Sequence, residues 1–292
     1  MNNLIKALTC GGRVRVYITN TTDVVNEAIR LHDLWPSAAS VLGKTMTVAL
    51  MMGAMLKGEE ALTIKIDGNG PIGNVVVDSD SKGNVRGYVD HPHVHFSKKA
   101  SLDDVTTLGY NGYIDVIKDL KLKDLYSSTI PLKTGDLAKD FTYYFASSEQ
   151  TPSIVALGST MSEDNTCKVS GGIIIQLMPG ALEEDIVFLE SRYNLLNNFS
   201  NLLLEHSNLE DILNLVLDGK YEILETKEVR FYCDCSKDKF YSGIASLGVT
   251  EIEDIIKTDQ QAEVICHYCN SQYLFKEDEL KQLVKGLKKW KH

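Results

Sequence analysis

Apolar residues lie on most sides of the segment from Ser37 to Lys57, "SAASVLGKTMTVALMMGAMLK", which contains no proline. A helix that is apolar all round belongs in a protein core, so this pattern predicts a largely buried helix. The stretches "ALTIKID", "NVVVD" and "VRGYVD" follow, separated by the turn sequences "DGNGPIG" and "SDSKGN". Their short connections predict an antiparallel meander. With two later strand-like stretches, "DFTYYFASS" and "SGGIIIQLM", the chain is predicted to be of the α+β class, and residues 1–178 are expected to form one mixed α+β core domain with an antiparallel sheet.

The pattern becomes helical between Ala181 and Leu224, so residues 179–229 are expected to form a helical linker region. In "SNLEDILNLVLDG", Ser207 and Glu210 fit a capping box, and Gly219 suits the left-handed position after a helix. The apolar residues on one face of this helix are Leu209, Ile212, Leu213, Val216 and Leu217. Such a stripe must be buried, either on the N-terminal domain or on the region that follows.

Length and composition limit the class of protein. A chain of 292 residues predicts two domains, and 43% hydrophobic with 24% charged residues is ordinary for a globular protein. The longest apolar stretch, Val48 to Leu56, is shorter than the ~20 residues of a membrane span, and the N-terminus lacks the apolar core of a signal peptide. We therefore expect a cytoplasmic protein with no membrane partner. A net charge of −10 disfavours nucleic-acid binding, and the lysine-rich tail "LVKGLKKWKH" is interpreted as a solvated helix end.

Several motifs resemble functional sites without the context that such sites need. "GNGPIG", from Gly68 to Gly73, is followed by a strand, whereas a dinucleotide fingerprint needs a helix. "VLGKTM" lacks the first glycine of a phosphate loop and lies inside a helical pattern. The alternating histidines of "HPHVH" (His91, His93 and His95) are interpreted as a surface edge segment. No Ser-His-Asp, Cys-His or paired-carboxylate set emerges, so the protein is not expected to be an enzyme.

Four of the six cysteines form two close pairs near the C-terminus. These are Cys233 and Cys235 in a C-x-C motif, then Cys266 and Cys269 in a C-x-x-C motif, with thirty residues between the pairs. Four thiolates satisfy a tetrahedral zinc ion, so the sequence predicts one structural Zn²⁺ bound by these cysteines. The second pair is predicted to lie in a hairpin. Residues 230–292 are few for a core to stabilise unaided, and a metal is a common remedy. Cys10 and Cys167 are isolated and are interpreted as packing residues.

Alternative functions of the cysteine pairs need different surroundings. A thioredoxin-like C-x-x-C lies at a helix N-terminus, whereas "CHYC" lies between two predicted strands. A constitutive zinc ribbon that binds a nucleic acid or a protein remains an alternative, although it would ordinarily use two C-x-x-C pairs. Neighbouring thiolates are the form of cysteine that oxidants attack, so oxidation can eject the metal. Because structural zinc contributes about 10–16 kcal/mol in finger peptides, a module this small should then unfold.

The sequence resembles the redox-regulated 33 kDa heat-shock chaperone family. The motifs that carry the resemblance, in chain order, are "HDLWPSAASVLGKTMTVALMMGAMLKG", "GPIGNVVVD", "KDFTYYFASSEQTPS", "GGIIIQLMPGA", "VRFYCDCS" and "AEVICHYCNSQYLF". The resemblance implies an ATP-independent holdase that is largely inactive when the four cysteines hold zinc. It further implies that oxidation pairs Cys233 with Cys235 and Cys266 with Cys269, that zinc leaves, and that the C-terminal domain (230–292) and the linker (179–229) unfold. The resemblance implies, finally, that the active form is a homodimer that binds unfolded or aggregation-prone client proteins.

Three hypotheses of different classes follow from the sequence. A redox-switched chaperone suppresses aggregation only after oxidation and zinc loss. A constitutive zinc-ribbon protein binds its partner when reduced and loses binding when zinc is removed. A thiol oxidoreductase reduces disulfides catalytically in the absence of zinc.

Overall fold

The computed structural model describes residues 3–98 and 101–289. The chain divides into two compact units, Met1–Tyr232 and Cys233–His292. The expected division into a core (1–178), a helical linker (179–229) and a redox-switch domain (230–292) assigns functions to regions, and it stays a prediction.

Strands make up much of the first unit. In chain order they are β1 (Asn3–Thr9), β2 (Val14–Asn20), β3 (Ala61–Asn69), β4 (Asn74–Asp80), β5 (Asn84–Val89), β6 (Ser97–Lys98), β7 (Ser101–Leu102), β8 (Gly109–Asp119), β9 (Tyr126–Pro131), β10 (Ser153–Met161), β11 (Cys167–Leu177), β12 (Tyr221–Glu228) and β13 (Arg230–Phe231). The helices of this unit are α1 (Thr22–His32), α2 (Pro36–Gly53), α3 (Asp104–Leu108), α4 (Leu137–Ser147), α5 (Glu183–Glu190), α6 (Tyr193–Leu196), α7 (Phe199–Glu205) and α8 (Leu209–Leu217).

Two mainly antiparallel sheets form the frame of the first unit. One has five strands in the order β10-β11-β2-β1-β12, and the other has six in the order β13-β5-β4-β3-β8-β9. Every pairing in these sheets is antiparallel except β13 with β5. The predicted meander is confirmed as β3, β4 and β5. A side chain at Gly68 would meet the carbonyl oxygen of Leu108 at 2.1 Å, which explains a glycine in the β3–β4 hairpin.

The predicted buried helix is confirmed as α2, which ends at Gly53 rather than at Lys57. Its residues from Ser37 to Gly53 are buried except Lys44, and they share one core with side chains of both sheets. Hydroxyl groups of this helix find partners inside the core: Thr45 donates to the carbonyl of Val41, and Thr47 donates to that of Gly43. The Gly-Lys-Thr triplet therefore lies inside a packed helix.

Two predicted elements were wrong. "DFTYYFASS" is not a strand; it lies in α4, which is capped by the side chain of Asp136 and buries Phe141, Tyr144 and Phe145. These aromatic residues lie three or four positions apart, the spacing of one helix face, and that period outweighs their preference for strands. The helical pattern also ends early, because Tyr221–Glu228 is strand β12, which pairs with β1.

The residue predicted to be the N-cap of α8 was also wrong. Asn208, not Ser207, is the N-cap, and its side chain accepts a hydrogen bond from the N–H of Glu210. At the other end Asp218 adopts the left-handed conformation, with φ of 57°, and Gly219 follows with φ of 67°. Asp tolerates the left-handed conformation better than most residues, and Asn is a favoured N-cap in the extended conformation that Asn208 adopts. The helix boundaries therefore shift by one residue at each end, and Gly219 still has the left-handed conformation expected of it.

The predicted apolar stripe of α8 packs on the five-stranded sheet. Along β2 and β11, alternate residues face opposite sides: Tyr17 and Ile174 join the core around α2, whereas the residues beside them face the linker helices. The second core contains Ile5, Val14, Val16, Ile18, Ile173 and Ile175 from the sheet and Leu189, Leu196, Phe199, Leu202, Leu203, Leu209, Ile212, Leu213, Val216 and Leu217 from α5, α7, α8 and their neighbours. The helices from α5 to α8 therefore cover an apolar face of this sheet that is formed mainly by β1, β2 and β11.

An ion pair fastens the start of this helical cover. Arg13, after the β1–β2 turn, donates to both carboxylate oxygens of Asp185 at 2.7 and 2.8 Å, and the N–H of Leu182 donates to the same carboxylate at 2.8 Å. The side chain of Asp185 is buried. The hydrogen bonds from Arg13, with that from Leu182, hold the pKa of Asp185 well below its usual range.

This depressed pKa predicts an acid-sensitive attachment of α5. The contribution of the ion pair is complete above the unfolded-state pKa of about 4 and is lost as pH falls toward the folded-state value. We expect the urea midpoint of the wild type to fall more between pH 5 and pH 3 than that of Asp185→Asn, which lacks the titrating group. Glu184→Gln removes a neighbouring carboxylate that is 75% exposed and 3.6 Å from Arg13, and should behave as the wild type. Equal acid sensitivity in all three proteins would contradict the assignment.

The second unit is a small α/β module. Its elements are α9 (Lys237–Ala245), α10 (Val249–Thr258), β14 (Gln261–Ile265), β15 (Gln272–Lys276) and α11 (Glu277–Lys289). Strands β14 and β15 form the predicted antiparallel hairpin. The core of the second unit contains Ile244, Ile252, Phe275, Leu280, Leu283 and Val284. Helix α11 includes Lys285, Lys288 and Lys289 of the lysine-rich tail, whereas Lys291 lies outside the described residues. In the part of the chain that the structure describes, no helix combines the length and apolar character that a bilayer crossing needs.

Candidate metal centre

Two short segments carry the four cysteines of the second unit. Cys233 and Cys235 lie in the extended segment before α9, and Cys266 and Cys269 lie in the turn between β14 and β15. In this turn the N–H of Cys266 donates to the carbonyl of Ser271 at 2.9 Å, and the N–H of Asn270 donates to that of Cys266 at 2.8 Å. These bonds close the hairpin around the C-x-x-C motif, so both of its sulfurs point to one side.

The structure brings all four predicted sulfurs together. The Sγ atoms of Cys233 and Cys266 are 3.7 Å apart, those of Cys235 and Cys269 are 3.3 Å apart, and all four lie within 4.8 Å of one another. A tetrahedral zinc ion with Zn–S bonds of about 2.3 Å separates its sulfur ligands by about 3.8 Å. The four thiols therefore fit a metal of this kind in both donor chemistry and spacing. Among residues 3–98 and 101–289 this is the one group of His, Cys, Asp or Glu side chains close enough together to hold a metal ion.

The local environment affects these thiols differently. Burial raises the pKa of Cys233 and of Cys266. Burial also acts to raise the pKa of Cys269, but hydrogen bonds from the hydroxyl and N–H of Ser271 and from neighbouring thiols lower it on balance. A thiol must lose its proton to bind a metal, so metal binding at neutral pH is expected to release protons, and affinity should rise with pH.

Hydroxyl groups near the sulfurs were missed by the sequence reasoning. The hydroxyl of Tyr273 lies 3.2 Å from the Sγ of Cys235, and that of Ser271 lies 3.2 Å from the Sγ of Cys269. Asp234, between two of the cysteines, pairs with Lys239 at the start of α9. The only sequence signal for Tyr273 is its place in "NSQYLF", four residues after Cys269, where strand alternation makes it a core residue as readily as a hydrogen-bond donor.

The other candidates from the sequence lie apart from this cluster. His91, His93 and His95 are exposed, and His93 lies 2.9 Å from Asp33 and stacks on Trp35 at 5.5 Å between ring centroids. Burial raises the pKa of the Cys10 thiol, and it raises the pKa of Cys167 to about 12. Cys167 is buried, and its backbone N–H donates to the side-chain oxygen of Asn26 at 2.8 Å. Their surroundings therefore favour the protonated thiol at both positions.

Comparison with known proteins agrees with the motifs. A family model described as "Hsp33 protein" matches residues 2–276. The chain is 48% identical over 285 residues to the 33 kDa chaperonins of Bacillus velezensis and Bacillus subtilis, with 97% of this chain and 98% of each relative covered. A crystal structure of the 33 kDa chaperonin (heat shock protein 33 homolog) of Thermotoga maritima matches with a TM-score of 0.90 and 33% identity over 98% of both chains. The resemblance predicted from the motifs is confirmed, and the chain belongs to the Hsp33 family of chaperones.

Proposed function

We propose that this chain is a redox-regulated holdase that works without ATP and binds unfolding proteins after its four-cysteine centre is oxidised. In the reduced form Cys233, Cys235, Cys266 and Cys269 hold one Zn²⁺. The observation that carries the proposal is the convergence of four thiols, from two separate segments, within 4.8 Å of one another. The proposal places the protein in the cytoplasm, makes the active form a homodimer, and includes no nucleic-acid partner.

The small size of the second unit supports its dependence on a metal. Among its described residues, 233–289, the buried apolar core consists of six side chains, and several other apolar side chains are only half-buried. Domains below roughly 70–80 residues rarely draw more than a few kcal/mol from such a core. Zinc, when bound, joins the two cysteine segments and holds their sulfurs as thiolates. Loss of these bonds removes the main constraint between the segment before α9 and the β14–β15 turn.

Oxidation supplies the switch. One thiolate attacks a peroxide oxygen, the O–O bond breaks, and a sulfenic acid and hydroxide form. A second thiolate attacks this sulfur, a disulfide forms and a second hydroxide leaves. Two electrons pass from two sulfurs to one peroxide. We propose that the pairs are Cys233 with Cys235 and Cys266 with Cys269, since each pair lies within one short segment and can close after the two segments separate.

The linker helices provide the surface for clients. The helices from α5 to α8 bury a continuous set of Leu, Ile, Val and Phe residues against the five-stranded sheet. After α8 the chain passes through β12 and β13, and only Tyr232 separates the end of β13 from Cys233 in the metal-binding segment. We propose that unfolding of this segment loosens the helices from the sheet. The face of the helices and the face of the sheet that become exposed are both apolar. Such surfaces suit the binding of unfolded chains with little sequence specificity.

The proposal is tested by following metal and activity together. Zinc-loaded, reduced protein is treated with hydrogen peroxide at elevated temperature, and zinc release, free thiols and suppression of light scattering by a heat-aggregating model enzyme are measured without ATP. We expect release of one zinc, loss of four thiols, and suppression that appears only afterwards. Full suppression by the reduced zinc-loaded protein, or none by the oxidised zinc-free protein, would contradict the proposal.

A further inference from the structure

We propose that Tyr273 is a positioning residue that protects Cys235 from oxidation and thereby sets the oxidant threshold of the metal centre. This inference rests on the proposed function, because it concerns the same four thiolates. It assigns a role to a side chain that is not itself a metal ligand.

The contacts of Tyr273 connect the C-x-C segment to the core of the second unit. Its hydroxyl lies 3.2 Å from the Sγ of Cys235 and donates to the carbonyl oxygen of the same residue at 3.1 Å. Its ring packs against Phe240, with 5.0 Å between centroids, and belongs to the apolar cluster around Phe275. Packing thus fixes the ring, and the ring places one hydroxyl beside both the sulfur and the backbone of Cys235.

The hydroxyl has one proton and two acceptors, and the state of the sulfur decides between them. When Cys235 is a thiol, its S–H can donate to the tyrosine oxygen while the tyrosine O–H donates to the carbonyl. When Cys235 is a thiolate, as in a metal centre, the sulfur has no proton and becomes the stronger, charged acceptor. The tyrosine O–H is then drawn to the sulfur. Groups of this kind around metal ligands commonly change affinity or activity by 10–100-fold when removed.

A hydrogen bond to the thiolate withdraws charge from the sulfur lone pair that attacks peroxide. Tyr273 should therefore slow the oxidation of Cys235. At the second pair, Cys269 has hydrogen bonds from the exposed hydroxyl and from the N–H of Ser271, which do not involve Tyr273. Loss of the Tyr273 hydroxyl should consequently speed the oxidation of the first pair alone.

Tyr273→Phe removes the hydroxyl and keeps the ring. We expect the variant to bind one zinc and to release it under hydrogen peroxide faster by about tenfold. Samples quenched early, alkylated and examined by mass spectrometry should show a shift of the first disulfide toward Cys233 and Cys235. A purely structural role would weaken zinc binding without changing which pair reacts first, so the site of the first disulfide is the decisive readout.

Tyr241→Phe is the matched control. Tyr241 packs on Phe275 in the same cluster, with 6.2 Å between ring centroids, and its hydroxyl makes no bond to a sulfur among the described residues. The control should release zinc at the wild-type rate.

Equal rates and equal first products in Tyr273→Phe and the wild type would overturn the role of Tyr273 while leaving the redox switch intact. Absence of zinc from the reduced wild type would instead overturn the proposed function. If Tyr273→Phe retains less zinc, the oxidation is repeated with zinc in excess, and an unchanged first disulfide there would also overturn the inference. Failure of this variant to bind zinc even in excess metal would show a purely structural role and would overturn it as well.

Discussion

Cys266→Ser is expected to abolish zinc binding and to unfold residues 233–289 in the full-length chain. Cys266 is the most buried of the four cysteines, at 4% exposure, and its sulfur lies 3.7 Å from that of Cys233. A serine hydroxyl does not ionise at neutral pH and cannot replace a thiolate ligand. Structural zinc contributes about 10–16 kcal/mol of apparent folding free energy in small modules, far more than a six-residue core can replace. Zinc content by atomic absorption and cleavage by a protease measure the effect.

The functional consequence of this variant is equally large. If metal loss alone opens the linker, reduced Cys266→Ser should suppress aggregation of a heat-denatured model enzyme without any oxidant. Cys10→Ser removes a thiol outside the metal cluster and should keep one zinc and remain inactive until oxidised. A Cys266→Ser protein that holds one zinc, or that stays folded without it, would contradict the structural role of the metal.

Leu213→Asp is expected to activate the protein while zinc remains bound. Leu213 lies on the inner face of α8, is fully buried, and packs in the core between the linker helices and the five-stranded sheet. Placing an unpaired carboxylate there costs at least about 3 kcal/mol, since a charge must be buried and a leucine contact is lost. Helix α8 should therefore detach from the sheet. Aggregation assays on the reduced protein should show suppression, with one zinc retained.

The same helix offers a matched control for this change. Leu215 lies on the outer face of α8 and is 44% exposed. Leu215→Asp makes the same chemical change without opening the core, so the reduced protein should remain inactive. Activation by both variants would show that charge on α8, rather than uncovering of the sheet, is responsible. Activation by neither would remove the linker helices from the proposed mechanism.

The four-cysteine site could be predicted from sequence because the spacing within each cysteine pair is a local feature. The C-x-C and C-x-x-C spacings determine that each pair of sulfurs is close, and four thiolates in a small module leave few chemical uses. The prediction of helix α2 rested on an equally local feature, because a helix that is apolar on most sides is expected to be buried in a core. In both cases the signal lies in the residues themselves, although only the fold brings the two cysteine pairs together.

The error at α4 came from local signals that compete, whereas β12 and the role of Tyr273 depend on contacts with distant parts of the chain. Phe141, Tyr144 and Phe145 have strand preferences, but they are buried on one face of α4 and an Asp136 cap starts that helix. Strand β12 exists because β1 presents an edge for pairing, which no local pattern around Tyr221 reveals. The hydroxyl of Tyr273 reaches Cys235 across thirty-eight positions of the chain, and only the fold brings the two together.

Hydrogen–deuterium exchange on the full-length protein, before and after oxidation, tests the central claim most directly. The reduced, zinc-loaded protein is compared with the protein after peroxide treatment and measured loss of one zinc. The account predicts that protection is lost across α9, α10, α11 and the β14–β15 hairpin, and also across α5 to α8, while β3, β4 and α2 stay protected. Zinc release with protection unchanged in both the second unit and the linker helices would contradict it.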